Sequence, residues 1–509
     1  MDFSLSKESI RNIVNVCDTT VSQSIDSDIT LPEYTDNIDC VLSCSLTPQI
    51  DSAVFSDGRV TVEGRAVIRL LYSSEKGTLN CFESEVPFSR FSEMQNVRDI
   101  DCISVRAETQ YVNCRLVNPR RFDAHGSITI CLEASALRTE QTVSDASGAG
   151  IQVRGKKLTV SNALSVKEKQ FSLSEVLEIS DSLAPMAQIV NITASPRADE
   201  TKLISGKALV KGDMDLEVFY IPDSESSAIE KASFSLPISQ IIELDNAEEG
   251  DFCVTKINVC ATNCALRADS GGNIRLIDVS VIARAKVSVF RTEEIQIVCD
   301  AFSTGYETEN EIKRFEIKSL KEQFCDVCLC RSPFSSSGKE IRNVLSLVTG
   351  DISSSCSVRD GKLFITGSVR TGLTVEYSNG EKGYIEKPLE FEYSRNIECC
   401  EIICEKSVRV NASSFLLTSQ SNVDVRVEVE ITGWIFESCC ISAVTDIRIK
   451  EDCPKAPCPV ALTLYYPDTN EAVWDIAKRY NTTESLIREE NNLSDETVCP
   501  GAALILPRM

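Results

Sequence analysis

The chain has 509 residues, a formal net charge of −24, 42% hydrophobic and 25% charged residues, which fits roughly three to five globular domains. No apolar run approaches the roughly 20 residues needed to cross a bilayer, so no membrane span is expected. The acidity, with Lys and Arg scattered along the chain, repels phosphate backbones and excludes nucleic acid as an expected partner.

The start, "MDFSLSKE", lacks a basic region followed by an apolar stretch. No secretory signal is expected, and the protein is expected to stay in the compartment where it is made. Three segments then share one pattern: "DGRVTVEGRAVIRLLY" from Asp57, "ETKLISGKALVKGDMDLEVFY" from Glu200 and "DGKLFITGSVRTGLTVEY" from Asp360. Each has a polar turn, an alternating strand, a glycine (Gly64, Gly206, Gly367), a second apolar stretch and a closing tyrosine (Tyr72, Tyr220, Tyr377). The glycines read as bulges or close strand crossings, since no helix start follows them. One module is expected three times.

The module ends agree as well, in "SITICLEASA" from Ser127, "LIDVSVIARAKVSVF" from Leu276 and "VDVRVEVEITGWIF" from Val423. In the last, Val423, Val425, Val427, Val429 and Ile431 face one way, and Asp424, Arg426, Glu428 and Glu430 the other. This is the pattern of a half-buried antiparallel strand. The fold expected is mainly β: three tandem antiparallel β-sandwich-like repeats at 1–160, 161–312 and 313–450. The stretches "SVKEKQFSLSEV" and "EIKRFEIKSLKEQF" read as polar, helix-capable or irregular connectors between modules, with a first strand of the next module as the alternative because they resemble each other. Residues 451–460, with Pro454, Pro457 and Pro459, read as a linker, and 461–509 as a small terminal domain.

Chemistry-bearing residues are few. His125, the single histidine, precedes Gly126 at an expected turn. Nothing of the G-x-S-x-G type accompanies it, and no phosphate-binding loop is present. Of 23 cysteines, three form "CDVCLC" (Cys325, Cys328, Cys330), and doublets stand at Cys399-Cys400 and Cys439-Cys440. Zinc would need a second ligand pair or histidines, and neither stands nearby. Most cysteines are expected as small buried hydrophobes on strands. Exposed ones would be able to crosslink an assembly under oxidising conditions. No cofactor, metal or catalytic residue is expected.

Beyond the prolines the period becomes helical. Val473, Ile476, Ala477 and Tyr480 form one stripe, and Thr482 is placed to cap a second helix containing Glu484, Leu486 and Ile487. With "ALTLYY" before and "AALILP" after, the order is βααβ. The series Tyr465, Val473-Trp474, Ile476-Ala477, Tyr480, Leu486, Asn491-Asn492-Leu493, Pro500-Gly501, Leu504, Leu506 and Pro507 resembles the LysM domain. That resemblance implies binding of N-acetylglucosamine glycans such as peptidoglycan between two loops. Here these would offer Thr469, Asn470, Glu471, Ala472, Asn491, Leu493, Ser494 and Asp495 as glycan- or partner-binding residues. Asn470-Glu471-Ala472 replaces the usual Gly-Asp-Thr, and Trp474 is expected in the core beside Val473.

The opening "DITLPEYTDNIDCVLSCS" resembles the start of SPOCS domains, with Asn37 where a second proline is usual. SPOCS repeats followed by LysM resemble the family of SpoIVA-interacting protein L-like spore coat morphogenesis proteins. The resemblance implies a non-enzymatic scaffold in the mother-cell cytoplasm and then the spore coat at the forespore surface. It implies docking of the coat-basement ATPase, a stage IV sporulation protein A-like partner. The alternative is a peptidoglycan-binding protein of the cortex or wall, and a redox or metal protein is a third reading.

Overall fold

The structure, a computed structural model, describes residues 3–94, 100–224, 228–398, 401–456 and 462–507. The first module holds β1 (Ser4–Thr30), β2 (Ile38–Ser56), β3 (Arg59–Ser74), β4 (Leu79–Glu93), β5 (Cys102–Asn118) and β6 (Arg121–Ser147). The second holds β7 (Ile151–Glu178), β8 (Met186–Ile204), β9 (Lys207–Pro222), β10 (Glu230–Glu243), β11 (Phe252–Ala268) and β12 (Ile274–Ser303). The third holds β13 (Tyr306–Ser335), β14 (Ile341–Arg359), β15 (Lys362–Tyr377), β16 (Lys382–Asn396), β17 (Ile402–Ser419) and β18 (Asn422–Pro454). Each module pairs a meander of its second, third and fourth strands with a sheet in which the sixth strand lies between the first and fifth. All these pairings are antiparallel.

The two sheets of a module close over one core, in the first module Ile68 and Leu70 from β3 against Ile128, Ile130 and Leu132 from β6. The alternation read at Val423–Ile431 is realised in full, since all five apolar side chains of the series are 0% exposed. On the opposite face Asp424 pairs with Arg331 at 2.8 Å. The three closing tyrosines are buried, and the Tyr72 and Tyr220 hydroxyls donate to the backbone carbonyls of Asp36 and Ala184, ahead of β2 and β8.

First and sixth strands run 27 to 33 residues, whereas the others run 14 to 19. The fifth strand pairs with only about half of the sixth, so the remaining halves of β1/β6, β7/β12 and β13/β18 leave the sandwiches as two-stranded ribbons. A lone ribbon is at best marginally stable in water. These three bury one another: Val143, Val298 and Val444 meet in one cluster with Ala146, Ala301 and Ile447. Each set comes from the same place in its repeat, read as "VSDA", "VCDA" and "VTDI". The modules are therefore related about a common axis.

Polar contacts tie every pair of modules. Gln49 donates to the Thr262 carbonyl (2.9 Å), Thr142 to that of Val444 (3.2 Å), and Arg409 meets Asp215 (3.5 Å).

The module junctions lie at the turns around Gly148–Gly150 and Thr304–Gly305. Boundaries expected at 160 and 312 therefore fall inside β7 and β13, because the first strand of each repeat starts further back, in the ribbon. The segment expected as a linker is strand as far as Pro454, which pairs with Tyr306. A proline at a strand end loses no ladder hydrogen bond that matters there. Residues 457–460 lie outside the described residues. His125 lies within β6, opposite Asp26 and Asn113, and not in a turn; the turn is Pro119–Arg120.

The glycines divide into two sets. Gly58, Gly206 and Gly361 occupy hairpin turns with φ of 73°, 75° and 69°, conformations that cost an L residue with a side chain. Gly64, Gly212 and Gly367 lie within strands, where an added Cβ would stand 2.2, 1.8 and 2.1 Å from the Gln49, Arg197 and Ser353 carbonyl oxygens. Gly206 thus belongs with the turn set, and Gly212 is the counterpart of Gly64 and Gly367. Replacing Gly64, Gly212 or Gly367 with alanine is expected to lower stability by about 1–3 kcal/mol or more through overpacking against backbone. Gly305→Ala, with open space at the site, is expected to leave the urea midpoint unchanged.

Candidate functional site

After β18 the chain forms β19 (Leu462–Tyr465), β20 (Glu471–Ala472), α1 (Val473–Tyr480), α2 (Glu484–Asn491), β21 (Thr497–Val498) and β22 (Leu504–Pro507). β19 pairs antiparallel with β22 beneath the helices. Val473, Trp474, Ile476 and Ala477 are buried on α1, as the stripe requires, whereas Tyr480 ends 37% exposed with its ring tilted against that of Tyr465 at 5.4 Å. The N-cap of α2 is Thr483, whose Oγ1 accepts from the Leu486 amide at 3.2 Å. Thr482 is buried one residue earlier and does not cap, because after the left-handed C-cap at Asn481 the turn runs one residue longer than the helical pattern implies.

The eight residues singled out in the loops separate into two groups. Thr469, Asn470, Ser494 and Asp495 are exposed and close together in the fold, because β20 pairs with β21 and brings the two loops side by side. Glu471, Ala472, Asn491 and Leu493 are half-buried. Glu471 accepts the Tyr465 hydroxyl at 2.7 Å, which holds that phenol above its ordinary range, and pairs with Arg479 at 3.1 Å. Asn491 donates to the Ile487 and Ile505 carbonyls (2.8 and 2.7 Å) and accepts from the Ile505 amide (2.6 Å). All its amide capacity on these partners serves to clasp α2 to β22. Asn491→Ala is accordingly expected to destabilise this domain by about 2–3 kcal/mol, lowering its melting temperature without any ligand present; unchanged melting would identify a residue free to bind.

Trp474 is 5% exposed, and its neighbours include more than its own domain. Its ring meets Phe302 edge-on at 5.0 Å, and its indole Nε1 donates to Asp300 Oδ2 at 2.9 Å. Lys478 adds an ion pair to Asp300 at 2.7 Å. Asp300 and Phe302 belong to the ribbon end of β12, so the helical domain is clamped to the second module through a fully engaged tryptophan. Sequence reading placed Trp474 in the core but missed its partners. The available signal was the repeated Val-x-Asp motif, in which only the second copy is followed two residues later by phenylalanine.

Among the described cysteines, Cys102, Cys260 and Cys330 are buried, ten are half-buried and seven are exposed. The expectation that most would be fully buried is therefore corrected: alternation places many of them on the outer faces of two-layer modules. Cys399-Cys400 lie outside the described residues, while Cys439 and Cys440 are exposed on β18. In "CDVCLC" on β13 the run goes from exposed Cys325 to buried Cys330, whose thiol burial pushes up to about 12. No group of three metal-ligating side chains stands together among the described residues. His125 is exposed, with Nδ1 2.8 Å from Asp26 Oδ1.

Cys356 is different: a hydrogen bond with Cys404, helped by the charge of Lys406, lowers its pKa to about 7. Only the thiolate is nucleophilic. Alkylation of Cys356, followed site by site by mass spectrometry, is expected to rise through a half-point near pH 7, below that of Cys439, whose thiol is pushed up by burial.

The fold and this site define a class: a repeat-built antiparallel β protein carrying a small βααβ domain of the binding type. The family model described as SipL, SPOCS domain, matches residues 37–117 and 185–267, and the LysM domain model matches 469–507. With its SPOCS and LysM segments the chain is similar in architecture to SipL-like proteins. The matched SPOCS segments span β2–β5 and β8–β11, and β14–β17 repeat their topology. No curated protein and no solved structure gives a significant match. Both are non-catalytic binding domains, and together they mark a sporulation-related protein with a LysM module of the peptidoglycan-binding class. No helix among the described residues is long and apolar enough to cross a membrane.

Proposed function

We propose that this chain is a non-enzymatic scaffold of spore coat or envelope assembly, made in the mother-cell cytoplasm and carried to the forespore surface. It docks a coat morphogenetic protein, an ATPase of the stage IV sporulation protein A type, through the LysM loops and the β repeats. The observation that carries this reading is the clamp at Trp474. The LysM domain is held by its tryptophan against β12, so its exposed loop residues project from a fixed base. The ring is thereby withdrawn from stacking on a sugar. The loop face is also acidic, with Asp468, Asp495 and Glu496 exposed beside Asn470, which suits a basic protein surface.

Peptidoglycan binding is the second reading, favoured by the LysM match itself. The two separate on one preparation of the full chain, tested for sedimentation with purified peptidoglycan and for binding to the purified ATPase. The scaffold reading expects ATPase binding that weakens at least about tenfold in Asn470→Arg/Asp495→Arg, with no sedimentation. Retention on glycan that the double variant abolishes, without ATPase binding, would establish the second reading in its place. Glu471 and Asn491 are unsuited to this test because their loss would unfold the loops.

A further inference from the structure

The three sandwiches surround a cavity of ≈ 1560 Å³ lined by residues of all three modules. Its floor includes Phe290 and Phe436, 5.4 Å apart, with Leu137 in the same cluster. These three occupy matching places in the repeat, before "RTE", "RTE" and "ESC". The cavity therefore lies along the axis on which the ribbons meet.

Its walls repeat as well. Arg106, Lys256 and Lys406 are each the fifth residue of β5, β11 and β17, and all three line the cavity. Lys286 and Lys318 join them. Eight Lys and Arg side chains and six carboxylates line the space, and Arg69, Arg370 and Arg409 are paired further with Glu83, Glu386 and Glu430 at its edge.

We propose that this cavity is a binding site for a small multivalent anion bearing several phosphate or carboxylate groups.

Arg69, Arg370 and Arg409 are ion-paired, whereas Arg106, Lys286, Lys318 and Lys406 are weakly matched. Lys256 is matched by Glu405. Arg106 reaches Glu108 and Glu133 only at 3.9 and 3.8 Å, and Lys318 reaches Glu316 only at 4.0 Å. Lys286 makes a hydrogen bond to Ser135 Oγ at 3.3 Å, and Lys406 has no carboxylate within ion-pair distance among the described residues. Burial lowers the Lys406 pKa, and the facing charges of Lys256 and Arg106 lower it further, against the opposing pull of Cys356 and Cys404. A half-buried ammonium that faces other cations is stabilised most by an anion placed among them. An anion with several charges matches three symmetry-related cations at once, whereas a single-charge anion matches one. An oligophosphate and an oligocarboxylate share this chemistry. This inference stands independently of the scaffold reading.

The test is isothermal titration calorimetry of the full chain with tripolyphosphate and with citrate at low ionic strength, where such attraction is least screened. Saturable binding of either is expected, weakened at least about tenfold in Lys406→Met and unchanged in Lys157→Met, which alters an exposed lysine on β7 outside the cavity. Binding of tripolyphosphate alone assigns a phosphate ligand, and of citrate alone a carboxylate ligand. Unliganded Lys406→Met is expected to melt no lower than the parent, since a repelled charge has been removed; Lys286→Met provides the same affinity test if that variant fails to fold. Absence of saturable binding by both probes, or equal affinity in the parent and the lysine variants, would overturn the proposal.

Discussion

The architecture depends on three two-stranded ribbons burying one another. Each sandwich has its own core, but the outer half of each long hairpin would expose an apolar face if it stood alone. Val143, Val298 and Val444 meet where those faces converge, and all three are 0% exposed. A second cluster, with Ile10, Val160, Ile295, Phe315 and Ile317, adds strands from every module to the same region. Burial at this junction fixes the angles between the sandwiches, and from it follow the central space, the convergence of Arg106, Lys256 and Lys406, and the base on which the LysM domain stands.

Much of this was legible because period-two alternation is a local signal. The strand from Val423 to Ile431 needed no tertiary information, whereas "SVKEKQF" and "SLKEQF", which lie in β7 and β13, lack that alternation and read as helix-capable connectors as readily as strands. Partners were not legible: alternation says that one face is buried and is silent on what buries it, so the ribbon halves read like any other strand and the module boundaries shifted into β7 and β13. Gly206 and Gly64 looked alike in sequence, yet one serves a positive φ and the other the close approach of a neighbouring strand. In the LysM domain the motif assigned Glu471, Ala472 and Asn491 to loops, whereas they lie in β20 and at the end of α2. It could not tell that Glu471 and Asn491 spend their hydrogen bonds inside the domain, because polar side chains in a loop look available until their partners are known.

Charge shows the same division between local and assembled information. Along the sequence Lys and Arg are scattered, and the reading of an acidic, solvated surface follows. Threefold repetition then gathers scattered cations, one from each repeat, onto a single interior surface. The spacing of repeats, rather than any run of basic residues, produces the concentration of positive charge. The lowered pKa of Cys356 arises chiefly from its hydrogen bond with Cys404, with Lys406 adding to it.

A Val-x-Asp motif stands in the outer part of each ribbon, and two of them carry the same short bond, the Ala146 amide donating to Asp145 and the Ala301 amide to Asp300, each at 2.9 Å. Only the second is followed by Phe302 and receives Trp474. One aromatic side chain therefore marks one of three near-equal motifs, and the body acquires a heading. A near-trigonal hub with three identical appendages would present the same aspect after each third of a turn; with one appendage it has a single bearing, so copies arrayed on a surface through that appendage would all share one rotational setting.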